Sequence, residues 1–449
     1  VADTSDAFDS IPASMEEYEG KLRAHLGKPL SRVPDPTGSA ESIGEYFLKD
    51  AEDAMKKFEV KPKILEAHEL YKKGKYDKYA LLFFERLEDV RRAVYESSLG
   101  RELPKWWSPI MPICKKCGRI ATTRVTSFSF ENGGEYKYAC DREVKYTKGC
   151  GATGVAGIKD HEYKIVWRLD WPARQDFLNA SIEGGGVDHF TRGGSWDTAV
   201  AIHKRIFKKE PPVGYRFGFV LLKGKKYSKS KGEGMGIVEL TELIPPEVLK
   251  YALLRPDIQE NKNIETSGEA MLRLCEDYLR ASEITVEPEV SRADRKRAVA
   301  FELSTKKRKF KTFSDILLLY QLYRDWKIVG KLTDRKSAEY LRPYIEGWVR
   351  KQFLPEEYSF TYKPKEIRGD VDLVLEFASR LDKKQTAVDI HNLVFEVARG
   401  KGKNPADLFR HLYGTLINQE RGPKLGKLVK AVGVEKVKKD ILELHKKER

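Results

Sequence analysis

No run of about 18 apolar residues occurs in this 449-residue sequence, so no segment is expected to cross a bilayer as a helix. No charged stretch leads into an apolar one near Val1, and no secretory signal is expected. Cysteine is scarce. Five in the whole sequence are too few for a disulfide framework, and a reduced, cytoplasmic setting is expected. The eight histidines show no metal-ligand spacing. No Gly-x-x-x-x-Gly-Lys-Ser/Thr loop is present, which excludes a P-loop nucleotide site, and no fixed-period repeat appears. Low aromatic content is not among the shortages: at 11% it argues against disorder.

The length fits two to four domains, at roughly 100–200 residues each. The formal net charge is +15 and its distribution is uneven. Residues 1–290 carry 46 Lys and Arg against 46 Asp and Glu, whereas residues 291–449 carry 37 against 22. A neutral front with a basic rear suits a polyanionic partner held at one end, although a solvated lysine surface gives the same arithmetic. Val1–Asp6 reads as the end of a buried strand running into a polar loop, so the chain is expected to lack its natural N-terminus. Helices are expected over 12–30, 40–58 and 79–98, the last from its apolar stripe Leu81, Leu82, Phe84, Leu87, Val90 and Val94. Short β-type runs (Ala121–Phe130, Tyr136–Ala139) mark residues 111–157. Lys164–Leu169 and Tyr215–Leu222 read as strands and Ser195–Phe207 as a helix. From about residue 266 only helical signals remain: a capping box at Thr266–Glu269, segments 313–325, 335–353, 370–382, 386–399 and 424–447, and 404–418 with Asn404 as N-cap and Pro405 after it.

Four of the five cysteines, Cys114, Cys117, Cys140 and Cys150, fall within 37 residues. The Cys-x-x-Cys spacing of the first pair, with Gly118 and Gly151 behind the two halves, suits knuckles that place four thiolates around Zn²⁺. Four cysteine ligands leave no open coordination position, so the role is structural. Cys275 lies outside the set and is expected to pack.

Three loops are candidates for binding chemistry. Lys226-Tyr-Ser-Lys229-Ser-Lys-Gly232 follows a strand and puts ammonium groups beside hydroxyls, a clamp suited to polyphosphate. A lysine-rich surface loop explains the composition equally well. Gly184-Gly-Gly-Val-Asp188-His189 with Gly193-Gly194-Ser195-Trp-Asp197-Thr198 lets a nucleotide approach the backbone, Ser195 capping the following helix and Asp188 accepting from a ribose. Turns are rich in glycine too, so the loop alone is weak evidence. Trp167-Arg-Leu-Asp170-Trp171-Pro-Ala-Arg174 places aromatic and charged groups at a strand's end, where open α/β sheets bind ligands; a strand-end turn with a half-buried tryptophan is the commoner reading. His25-Leu-Gly-Lys28 mimics a nucleotide-binding His-x-Gly-His but sits at a helix C-terminus before Pro29, the wrong context for it.

Lys226-Tyr-Ser-Lys-Ser230 resembles the KMSKS signature of class I aminoacyl-tRNA synthetases, with Tyr227 at the Met position, and Leu240–Arg255 resembles the stem-contact segment that follows it. More narrowly the chain resembles an archaeal-type class I lysyl-tRNA synthetase. That resemblance is carried by Asp6-Ala-Phe-Asp9, Val33–Gly38, the four-cysteine insert, Arg168–Arg174, Val187-Asp-His189, Gly193–Thr198, Asn418–Gly426 and Ala431–Val437. The HIGH motif is absent. The resemblance implies a Rossmann-type α/β catalytic domain with a zinc insert, then an all-α anticodon-binding domain. The divisions expected are 1–110 and 158–236 for the catalytic parts, 111–157 for the insert, 237–265 for the stem-contact segment and 266–449 for the helical domain. It implies a lysine–tRNA ligase with ATP, Mg²⁺, L-lysine and tRNA(Lys), acting as a cytoplasmic monomer. Lys226, Ser228 and Lys229 would be catalytic. Asp188, His189, Gly193, Gly194 and Asp197 would hold ATP, and Asp170, Trp171 and Tyr215, with His189, would meet lysine. The alternatives are a non-catalytic tRNA- or RNA-binding relative and a class I synthetase for another amino acid such as glutamate, for which Arg168 and Arg174 supply cations. Trp326, Trp348, Tyr344 and Phe353, among Arg324, Lys327, Arg342, Arg350 and Lys351, are candidates for stacking on RNA bases, although at helical spacing core packing is the commoner reading for each tryptophan and no single anticodon contact is assigned.

Overall fold

The computed structural model describes residues 1–222, 225–226, 237–287 and 289–448, with Leu222, Lys225, Lys226, Ile237, Lys447 and Glu448 described by their backbone alone. Two compact units emerge, Val1–Val238 with Pro256–Ile264, and Glu239–Arg255 with Glu265–Arg449.

In the first unit, apolar side chains on Asp77–Glu85 and Leu87–Ser97 face one core with the strands Ile110–Pro112 and Tyr163–Ile165. Residues 79–98 are therefore two helices rather than one. Arg86, at φ −105° and ψ 30°, leaves the helical region between them, yet both halves present their apolar faces to the same cluster. A short helix, Ala67–Lys72, precedes them and was invisible to periodicity because it is under two turns long. The residue 12–30 region is a string of short helical turns (Ala13–Tyr18, Glu19–Leu22, Arg23–His25), while 40–58 forms the expected helix at Ile43–Lys57. Ile182–Gly186 pairs in parallel with Val213–Phe217 across the helix Ser195–Ile202, a strand–helix–strand crossover. Val220–Leu222 pairs in parallel with Lys262–Ile264.

Two strand readings are corrected. Lys164–Leu169 is a strand only to Ile165, and Trp167–Phe177 is a helix. Tyr215–Leu222 is two strands, because the chain breaks at Gly218: its amide donates to Ile258 O (3.1 Å), and a Cβ there would collide with the Glu260 carbonyl. Residues 111–157 form a three-stranded antiparallel sheet of Arg124–Ser129, Glu135–Ala139 and Thr153–Gly157, plus the small hairpin Glu143–Val144/Thr147–Lys148.

Among its described residues, every secondary-structure element of the second unit is a helix. Asn404 accepts from Ala406 N (3.0 Å) and Pro405 opens its helix, as expected. The expected capping box does not form, because Ser267 rather than Thr266 is the N-cap and the residue three on, Ala270, has no polar side chain to reciprocate. Ser267 accepts from Ala270 N (3.3 Å), and Glu269 accepts instead from Glu356 N (3.2 Å). Residues 424–447 split at Gly433, whose φ of +105° lies in the left-handed region, into Leu425–Val432 and Val434–Glu448. Trp348 is not a surface ring: it is wholly buried and donates to Leu243 O (2.6 Å). Trp326 is half-buried against Tyr320, with centroids 4.4 Å apart. Some of the rear's positive charge is also spent internally. Lys438 donates to Ser379 O and Leu381 O, and Lys430 to Lys383 O and Gln385 O. Cys275 is buried, as expected of a packing residue, and burial raises its pKa.

Trp348→Ala should destabilise the second unit by about 3–5 kcal/mol, the usual range for emptying a buried Trp site. A fall in the urea midpoint checks this; an unchanged midpoint would mean that Trp348 is not part of that unit's core.

Candidate active site and metal centre

The helix Trp167–Phe177 organises the α/β site. At i and i+4 it carries Asp170, with no exposed surface, and Arg174, 6% exposed. Arg174 Nε donates to Asp170 Oδ1 (2.9 Å) and Nη2 reaches Asp3 Oδ1 (2.7 Å). Tyr71 donates to Asp170 Oδ2 (2.5 Å) while its own oxygen accepts from Ile165 N, and Tyr76 approaches Oδ1 at 3.4 Å. The two tyrosine rings stack 3.9 Å apart. Lys164, its side chain 2% exposed, pairs with Asp6 at 2.8 Å and lies 4.0 Å from Asp170. Burial, then the neighbouring carboxylate, pushes Tyr71 far above its ordinary pKa. Burial opposes the charge on Arg174, but Asp170, Tyr76 and Asp3 outweigh it and hold the guanidinium above its usual pKa. Asp170 therefore reaches a ligand only through these partners. Tyr71, Tyr76 and Lys164 were not anticipated; reading 167–177 as a helix would have exposed the Asp170–Arg174 spacing.

The other face of this helix meets the glycine-rich loop, which leaves the carboxyl end of the Ile182–Gly186 strand. Trp171 stacks with Trp167 (centroids 5.6 Å) and lies 5.7 Å from both His189 and Trp196; Phe190 stacks on Trp196 at 4.7 Å. These rings account for several glycines. A Cβ at Gly184 would lie 2.5 Å from the Tyr215 ring, one at Gly185 2.7 Å from Phe190, and one at Gly214 would collide with Trp196. The glycines admit the protein's own aromatic rings. Gly193 is further constrained by a φ of +78° and by Leu99, 2.8 Å from where its Cβ would stand.

Arg168 holds this loop. Its guanidinium donates to Gly193 O (3.1 Å), Gly194 O (3.1 Å) and Thr198 Oγ1 (2.7 Å), and burial lowers its pKa. Asp197 accepts from Gly193 N (2.8 Å). Ser195 is not the helix cap expected of it. Gly194 occupies that position, and Ser195 Oγ accepts from Trp167 Nε1 (3.2 Å). The structure thus gathers Trp171, His189, Gly193, Gly194 and Asp197 around one loop, with Tyr215 and Asp188 exposed beside it. Arg168 and Arg174, the cations a glutamate pocket would need, are engaged by backbone carbonyls and carboxylates. Ser228 and Lys229 lie outside the described residues. Lys226 pairs through its backbone with Leu221 in a two-residue strand.

The cysteine set comes together fully. The four Sγ atoms lie within 4.8 Å of one another, with Cys114–Cys150 and Cys117–Cys140 both at 3.7 Å and no disulfide formed. A tetrahedron with metal–sulfur bonds of about 2.3 Å has edges of about 3.8 Å, so the spacing fits a thiophilic ion. The two knuckles are near copies. Cys114 N donates to Arg119 O (2.9 Å) and Gly118 N to Cys114 O (2.8 Å), while Cys140 N donates to Ala152 O (2.8 Å) and Gly151 N to Cys140 O (2.9 Å). Gly118 and Gly151 take φ of +73° and +74°, as the turns behind a metal require. The nine-residue gap of the second pair is closed by the Glu143–Lys148 hairpin. Burial pushes the Cys117 thiol up to about 12. Burial also raises Cys150, but the Ala152 amide and the three neighbouring sulfurs overcome it and bring that thiol down to about 7. Metal analysis should find one ion per chain, lost in Cys114→Ser/Cys140→Ser; none in the purified protein would overturn the centre.

The chain is similar to known proteins over most of its length. The family model described as tRNA synthetases class I (K) matches residues 1–307. A lysine–tRNA ligase of Archaeoglobus fulgidus is 30% identical, covering 97% of this chain and 87% of that protein. One from Thermoplasma acidophilum is 28% identical over 98% and 87%, and one from Pyrococcus horikoshii 29% over 94% and 84%. Among solved structures, a glutamate tRNA ligase from Elizabethkingia meningosepticum aligns over 92% of this chain and 90% of its own, at 12% identity and a TM-score of 0.36. With a family model covering two thirds of its length and relatives spanning nearly all of it, the chain belongs to the class I lysyl-tRNA synthetase family.

Proposed function

We propose that this protein is a lysine–tRNA ligase, which activates L-lysine with ATP and transfers the lysyl group to the 3′ end of tRNA(Lys). The observation that carries this reading is the extent of the relationship: 97% of the chain aligns with a lysine–tRNA ligase, so the α/β unit and the helical unit are shared together. In the first step a lysine carboxylate oxygen bonds to the α-phosphorus of ATP, the bond from that phosphorus to the bridging oxygen breaks, and pyrophosphate leaves. In the second, a hydroxyl of the tRNA's terminal ribose attacks the lysyl carbonyl, its proton is lost and AMP departs. Neither step needs an acid–base residue with an unusual pKa; positioning and charge stabilisation suffice.

In this reading Asp188, His189, Gly193, Gly194 and Asp197 hold the adenosine ribose, and Trp171, His189 and Tyr215 form the lysine wall. Asp170 fixes the helix from which Trp171 projects. Lys226 and Lys229 neutralise the leaving pyrophosphate while the Ser228 hydroxyl donates a hydrogen bond to it, and Mg²⁺, when bound with ATP, would share that charge. Zn²⁺ is the ion assigned to the four cysteines. It would tie the two knuckles together, its four thiolate ligands leaving no open position for the reaction. The helical unit, with its basic excess, is assigned to the tRNA anticodon arm. The protein works as a monomer in the cytoplasm, and no helix among the described residues is long and apolar enough to cross a membrane. The committed guanidinium groups of Arg168 and Arg174 speak against a glutamate pocket.

Two substitutions test these roles. Lys229→Ala should slow ATP–pyrophosphate exchange by about 10²–10³, the scale of one lost charge-stabilising contact, with tRNA binding retained. An unchanged rate would make 226–230 a surface loop only. Arg168→Lys removes the forked contact to Gly193 and Gly194, so the KM for ATP should rise about tenfold or more while kcat changes less. A fall in kcat alone would contradict a loop-holding role.

A further inference from the structure

The front of the chain is electrically balanced as a whole, but not locally. Residues 1–100 carry 16 Lys and Arg against 20 Asp and Glu; residues 101–160, which contain the metal knuckles, carry 11 against 6. On this basic lobe the Arg142 guanidinium carbon lies 3.9 Å above the centroid of the Trp106 ring, the tightest cation–ring contact described in the chain. Trp106 is 41% exposed, and among the described residues no other aromatic ring packs against it. A tryptophan that served only the core would be covered, as Trp348 is. Arg142 is fixed from below: its amide donates to Thr122 O (3.1 Å), its carbonyl accepts from Gly149 N (2.9 Å), and it stands two residues from Cys140. Lys105 and Lys145, adjacent in sequence to the pair and the hairpin tip, are exposed and form no ion pair among the described residues.

We infer that Trp106 and Arg142 form a stacking platform for an unpaired nucleobase in the single-stranded 3′ end of tRNA, an inference that rests on the tRNA-charging function proposed above. Unstacked RNA bases settle on aromatic rings and guanidinium planes, and nearby lysines hold the phosphates between them. Placement favours the 3′ end over other single-stranded RNA. The platform lies in the same compact unit as the Gly193–Gly194 loop. One short segment connects them, since Leu99 packs against Gly193 and Trp106 follows seven residues later. Seven residues reach at most about 25 Å, a span that a few unpaired nucleotides cover. The same segment exposes Arg101 and Lys105 along the way.

The test uses the full-length protein with two probes, a tRNA(Lys) transcript and the same transcript lacking its last four nucleotides. Trp106→Ala should weaken binding of the intact transcript about tenfold, as expected for one lost base–aromatic stack, and leave the truncated transcript's affinity unchanged. ATP–pyrophosphate exchange and bound metal should match the parent protein, and Trp106→Phe should restore most of the affinity. Equal losses on both transcripts, or none on either, would overturn the platform. Should Trp106→Ala lose its metal, Arg142→Gln carries the same comparison, with the same selective loss expected and the same results overturning it. A parent protein that fails to charge tRNA(Lys) with lysine would instead overturn the proposed function, a result separable from the binding comparison.

Discussion

A carboxylate held entirely out of water sets the geometry of the catalytic unit. The charge on Asp170 has no solvent to stabilise it, so it persists only with donors on every side, and breaking such a buried pair typically costs about 3–5 kcal/mol. Those donors come from both near and far along the chain. Tyr71 and Tyr76 arrive from the segment just before the Asp77–Glu85 helix, Arg174 from the next turn of Asp170's own helix, and Lys164 from the strand before it. Arg174 and Lys164 also hold Asp3 and Asp6. One buried charge thus draws four segments together, and the helix so fixed presents Trp171 on one side and Arg168 to the loop.

The loop itself obeys a steric rule more than a flexible one. Gly184, Gly185 and Gly214 leave room for Tyr215, Phe190, Trp171 and Trp196, so the absence of side chains on the backbone is what lets a layer of aromatic rings form at the strand ends. Arg168 then fastens the loop's own carbonyls to the helix. A binding site assembled this way is preorganised: its glycines are filled by neighbours and its carbonyls are already donated to, which limits the reorganisation left for the moment of binding.

The insert solves a different problem. A lobe of some four dozen residues has little core of its own: Tyr136, Tyr138 and Ala156 join the main core of the unit, and cross-links through a metal would secure the rest. Two knuckles with matching hydrogen bonds and glycines at positive φ bring four sulfurs to tetrahedral spacing.

Local signals were legible in the sequence wherever one short stretch carried the whole cause. The four-cysteine set, the glycine turns behind it, the Asn404–Pro405 start and the helical character after residue 266 depend on spacing and capping alone, and the structure holds each of them. The family was legible too, because its motifs run in order along the chain. What tertiary structure decided depends on partners far away in sequence. The helix at Trp167–Phe177 was masked by aromatic and charged residues that fit a strand end equally well, and only the buried Asp170 with Tyr71 and Arg174 settles its conformation. Trp348 at helical spacing favoured the core without excluding the surface, and the fold buries it with Leu243 O as the acceptor for its indole. Arg168 and Arg174 looked available for an anionic substrate until the fold turned carbonyls and carboxylates toward them. A charge or a ring read from sequence has a type but no surroundings, and at these positions the surroundings determine whether it binds a ligand or holds the protein together.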